Sequence, residues 1–165
     1  MNINIVAVLV AALIPMVMGF VWYNPKVFGS VWQRECGLSD EKMKSANMAL
    51  IFGLSLVFSF ILAFGLQFMV IHQFHVTSLF FMQPINDAST EAGALYQGVM
   101  NLLGTSYRTF KHGALHGFIG GIMTSLPIIA INALFERRSF KYVAINVGYW
   151  VITMCLMGGI ISAWM

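Results

Sequence analysis

Four long apolar runs separated by polar segments organise this chain. They cover residues 3–23, 47–71, 113–135 and 141–164. About 20 helical residues cross the roughly 30 Å of bilayer hydrocarbon, so each run is long enough to span. None has Asp, Glu, Lys or Arg in its interior. Lipid offers no water to satisfy exposed backbone groups, which predicts helices and not strands. Pro15 and Pro127 each withdraw a donor from the ladder and mark expected kinks. No Lys or Arg precedes the first run and no small-residue cleavage site follows it, so it reads as a retained span rather than a signal peptide. The expected architecture is all-α: one integral-membrane domain, a four-helix bundle with a short interfacial helix and a long, partly helical connector over 72–112.

The polar segments carry their own signals. Trp22, Tyr23, Trp32 and Trp164 sit where aromatic side chains anchor helix ends at a membrane surface. Asn24-Pro25 reads as a turn. Phe28, Val31 and Trp32 then fall at helical spacing, with Lys26 and Arg34 on the wet side of an interfacial helix. Gly37 suits a helix stop and Ser39 an N-cap, followed by Asp40 and Glu41 where the helix dipole favours anions. On this reading Asp40 pairs with Lys44, and the second membrane helix begins near Asp40. In the second connector Val76–Met82 is apolar, Gln83-Pro84 breaks it, and Glu91–Phe110 forms an amphipathic helix with Leu95, Val99, Leu102 and Leu103 on one side. Connectors this long tend to be functional or disordered.

Composition makes the bilayer a requirement. Hydrophobic residues are 59% of the chain and charged residues 9%, against about 25% charged in soluble domains. The net charge of +3 gathers in short clusters beside apolar runs. It forms no continuous basic face, which argues against a nucleic-acid partner. Lys26, Arg34, Lys42 and Lys44 lie in the first connector and Arg137, Arg138 and Lys141 in the third, seven of the nine basic residues. The positive-inside rule puts both connectors in the cytoplasm, with both termini and connector 72–112 outward. The two cysteines, Cys36 and Cys155, read as free thiols and not as a disulfide.

Two constellations stand out. Gly113, Gly117 and Gly121 form a smooth stripe on the third span, and Gly158, Gly159 and Ser162 offer a counter-surface on the fourth. Small residues let helices approach closely in lipid. The stripe serves packing within one chain or, on the sharper reading, between subunits. All four histidines gather at one membrane face: His72 and His75 at spacing i, i+3, and His112 and His116 at i, i+4. Neutral imidazoles so placed can hold zinc or copper. The alternative is a set of interfacial rings snorkelling at the surface. Among the polar residues within the spans, Asn132 and Asn146 are expected to bond across the turn between spans three and four, and Trp150 to face the bundle. No intramembrane charge marks an ion pathway. No nucleophile–base set or phosphate loop is spaced for catalysis, so no enzyme is expected.

The chain resembles the domain of unknown function 1761 family of small bacterial membrane proteins. Three stretches carry the resemblance: Gly19, Trp22, Tyr23 and Pro25 through Phe28-Gly29, Trp32 and Gly37-Leu38-Ser39; Ala133-Leu134-Phe135-Glu136-Arg137; and Ile145-Asn146-Val147-Gly148-Tyr149-Trp150 with Met157-Gly158-Gly159 and Trp164. The resemblance implies a four-span fold in the bacterial cytoplasmic membrane and no assigned activity. Connector 72–112 is longer than the family pattern. The expected function is a non-catalytic scaffold or accessory subunit that self-associates or joins other membrane proteins. The alternative is a transporter or channel for a small neutral or metal solute, using the histidine cluster. A lipid-directed enzyme is the weakest reading.

Overall fold

The computed structural model describes residues 3–165, and among them it is helical with no strand. The first long helix is α1 (Ile5–Trp22). A π-helical turn, Pro25–Gly29, leads into two short helices, α2 (Ser30–Cys36) and α3 (Asp40–Lys44). Then come α4 (Met48–Val70), α5 (His72–Leu79), α6 (Glu91–Leu103), α7 (Phe110–Phe135) and α8 (Phe140–Ala163). Of these, α1, α4, α7 and α8 are long and apolar enough to cross a membrane.

Side-chain caps decide where most helices begin. Asn4, Ser39, Asn47, Thr90, Thr109 and Ser139 each accept a hydrogen bond from the backbone N–H three residues on, at 3.1–3.2 Å. Each satisfies a donor that the helix itself leaves free. These caps correct three sequence expectations. The second span does not start near Asp40, because α3 ends at Lys44 and Asn47 caps a new helix. Asp40 accepts from Gln33 Nε2 at 2.7 Å instead of pairing with Lys44. The third span starts at Phe110, because Thr109 caps it there. Helical structure continues through Pro15 and Pro127.

The helix α8 is the axis of the bundle. Half of its apolar window is buried, against 28% for α1 and 17% for α4 and α7. It forms an antiparallel hairpin with α7, while α1 and α4 pack on its other flank. A Cβ built at Gly113, Gly117 or Gly121 would run into the α8 backbone at Gly158, Met154 or Val151 respectively. Gly158 returns the contact on Gly113, and Gly159 lies under the Phe110 ring. The stripe is therefore spent inside the chain, where it brings two backbones into contact.

The main core joins Val8, Ala11 and Ala12 of α1 to Ala63, Leu66 and Val70 of α4 and Met154, Met157 and Ile161 of α8. All of these lie toward the end where α1 begins and α4 and α8 finish. The opposite end is held by polar ties. Trp22 Nε1 donates to the Ile145 carbonyl and the Tyr23 hydroxyl to Asn146 Oδ1, each at 3.0 Å. Both rings are half-buried, packed against α8. Asn132 is exposed, and the expected Asn132–Asn146 bond across the turn is not made. Arg138 donates to the carbonyls of Glu35 and Cys36 at 3.4 and 3.2 Å, and Ser139 Oγ donates to the Glu35 carboxylate. These bonds bring the two basic connectors to one end of the bundle.

The outer connector packs differently from its sequence pattern. Gly93 and Tyr96 form the buried face of α6, whereas Leu95 and Leu102 are exposed. Tyr96 takes its place through a hydroxyl contact with Thr77 Oγ1 at 3.2 Å.

Candidate functional site

Three of the four histidines meet at the end opposite the basic connectors. His112 and His116 lie one turn apart at the start of α7. Each precedes a stripe glycine, and consecutive helical residues are about 100° apart. While Gly113 and Gly117 face α8, the two imidazoles therefore turn toward the α4–α5 junction. There the helix breaks at Ile71 (ψ 102°) and restarts at His72. The break swings the His72 ring onto α7. His72 Nε2 lies 2.8 Å from His112 Nε2, which lies 3.0 Å from His116 Nε2. Possible ligand atoms of all three fall within 4.8 Å of one another. His75 is exposed, with its ring centroid 6.5 Å from that of His72, and stands outside the group.

Three Nε2 atoms facing inward pose a pairing problem. Each neutral imidazole has one N–H and one lone pair, so hydrogen bonding leaves His112 Nε2 serving both neighbours through a single atom. A metal ion between them uses all three lone pairs at once. Tetrahedral zinc with Zn–N bonds of 2.0–2.1 Å separates its ligands by about 3.3 Å, so the two short pairs need to spread by a few tenths of an ångström while the His72–His116 pair, within 4.8 Å, draws in. Burial holds the His72 imidazole below its ordinary pKa, and His112 and His75 push the same way. The neutral, ligating form is thereby favoured.

The surroundings are half apolar. The Tyr107 ring stacks 4.9 Å from His112 and 5.9 Å from His72, centroid to centroid. It is held there by a left-handed backbone (φ +64°) that a tyrosine seldom adopts. Beside His72 is a cavity of about 170 Å³ lined by Gln73, Val99, Leu103, Ser106 and Tyr107 among others. Buried Gln73 donates to the carbonyls of Leu103 and Ser106 at 2.8 and 2.9 Å, while its Oε1 has no partner among the described residues. Arg108 closes the same end by donating to the last carbonyls of α8, Ser162 at 2.8 Å and Trp164 at 3.0 Å. A cation suits that helix terminus.

Sequence reasoning gathered the histidines on one face but missed Gln73, Tyr107 and Arg108. A lone Arg in an otherwise nearly uncharged connector was the available signal for Arg108. No local pattern marked the other two.

The family model described as "Protein of unknown function (DUF1761)" matches residues 6–162, and the chain belongs to that family. No curated protein and no solved structure matches it.

Proposed function

We propose that this DUF1761 member is a multi-pass membrane protein that captures a transition-metal ion, zinc or copper, through His72, His112 and His116. The observation that carries this reading is the convergence of the three Nε2 atoms, two from α7 and one from the α4–α5 break. The core beneath it is closed by Val70, Ile71, Met157 and Ile161, which supports capture over conduction. Seven basic residues at the other end support, by the positive-inside rule, a reading in which that end is cytoplasmic and the cluster faces outward from a bacterial cytoplasmic membrane. A self-associating scaffold draws no support from the glycine stripe, because α8 already covers it.

The test is metal content and zinc titration of the purified full-length protein. About one ion per chain is expected. Apparent binding energies of 10–16 kcal/mol for four-ligand zinc sites amount to about 3 kcal/mol per ligand, so His72→Ala, His112→Ala and His116→Ala should each weaken binding by about 100-fold. His75→Ala should leave it unchanged. Equal losses in all four variants, or no saturable binding by the wild type, would remove the reading.

A further inference from the structure

The end of the bundle opposite the histidines holds a cavity of about 810 Å³ between α1, α4 and α8. Its volume falls in the range of pockets that enclose a small molecule. The cavity exists because the main core ties α4 to α1 and α8 only toward the histidine end. Toward the basic end α4 meets α1 through the Phe20–Phe52 ring pair, centroids 5.6 Å apart, and aromatic side chains line the gap beside it.

The lining is ordered along the bundle axis. At the surface end are Tyr23, Asn24 and Asn146; Phe20 and Phe52 follow; Pro15, Ser59 and Leu62 form the floor. From Pro15 to Asn24 is nine residues, about 13 Å of helical rise. That is close to one leaflet of a hydrocarbon core roughly 30 Å thick. Phe20, Ile51 and Phe58 line the cavity and are also exposed, so it opens sideways toward the acyl chains. A polar mouth, an apolar shaft of leaflet depth and a lateral opening match a lipid with its chain inside and its headgroup at the surface.

Charge chooses the headgroup. Lys26 directly follows the mouth residues Asn24 and Pro25. Lys42 and Lys44 lie on α3, just before Met48 at the rim. None of the three lysines is in a salt bridge among the described residues. Asp40 and Glu41 share α3 with them, so Lys26, which has no acidic residue beside it in sequence, is the side chain best placed for a phosphate.

We propose that this cleft holds one anionic phospholipid per chain, with an acyl chain between α1 and α4 and its phosphate beside Lys26. The site is separate from the histidine cluster and does not depend on metal binding.

Native mass spectrometry of the full chain released from bilayers of equal phosphatidylglycerol and phosphatidylcholine tests this. One phosphatidylglycerol per chain should be retained in preference to phosphatidylcholine. Lys26→Gln should reduce that preference by about five-fold. Ser59→Phe, which fills the floor, should abolish retention of the lipid, and Ser55→Leu, higher on the wall, should weaken it. Circular dichroism and unchanged thermal unfolding in detergent would show that both variants remain folded. Equal retention of the two lipids by the wild type, or unchanged retention in folded Ser59→Phe and Ser55→Leu, would overturn the proposal.

Discussion

Replacing Gly117 with alanine should damage the protein at two separate points. A Cβ at this position would overlap the Met154 carbonyl and sit 3.1 Å from the Cys155 Cα. Both are backbone atoms, so no side chain can swing away, and α7 and α8 must part locally by roughly 1 Å to restore normal contact. Overpacking of this kind costs about 1–3 kcal/mol. Helix propensity returns up to about 1 kcal/mol on going from Gly to Ala. The net expectation is a loss of up to about 2 kcal/mol. Gly53 provides the contrast: among the described residues nothing lies within 4 Å of a Cβ built there, so Gly53→Ala keeps only the propensity gain. Unfolding of both variants in mixed micelles, followed by circular dichroism, should separate them by the overpacking cost, about 1–3 kcal/mol. The same 1 Å shift carries His112 and His116 away from His72, and loosened support of a metal site costs about 10- to 100-fold in affinity. Zinc titration should therefore show Gly117→Ala weakened and Gly53→Ala normal. Equal stability of the two variants would refute the claim that backbone contact at the stripe holds α7 to α8.

Arg108→Ala should uncap the final turn of α8 and cost about 1–3 kcal/mol, the price of leaving charge-assisted acceptors unpaired; thermal unfolding in detergent measures it, and Arg108→Lys should recover part of the loss. Gln73→Ala removes both bonds to the 103–106 segment, so limited proteolysis should cut that connector faster, and unchanged cleavage would show that the segment is held by other contacts. Burial pushes the Cys36 thiol above its ordinary pKa, leaving less thiolate at neutral pH. A membrane-impermeant maleimide should therefore label Cys36 from the cytoplasmic side only, more slowly than an unhindered cysteine at pH 7, with the gap narrowing as the pH rises. Labelling from the outside would invert the proposed orientation.

Hydrophobic runs made the four spans legible because lipid imposes one rule on every residue within them. The boundaries were less legible because single caps set them: Asn47 and Thr109 each move a helix start by several residues, and nothing in the apolar pattern announces that. On α6, Leu95 and Leu102 are apolar and still exposed, while Gly93 and Tyr96 are buried. In a connector beside a membrane, an apolar side chain has two places to go, protein or lipid, so hydrophobicity alone does not choose the packing face.

The histidine cluster shows the same limit in sharper form. Spacing on α7 was enough to pair His112 with His116, because a helix fixes i, i+4 neighbours without help. The same rule made His72 and His75 look like a second pair, and there it misled. The pairing that forms crosses 40 positions of chain and depends on the break at Ile71, where α4 stops and α5 sets off in a new direction. One ring of the i, i+3 pair is turned inward and the other is left exposed. The glycines complete the arrangement from the far side of α7. By letting α8 press close, they leave the neighbouring face of α7, and with it both imidazoles, directed at the break. The residues that bring the nitrogens together are thus Gly113, Gly117 and Ile71, none of which has any metal chemistry, and substitutions there should weaken metal binding while every ligand remains in place.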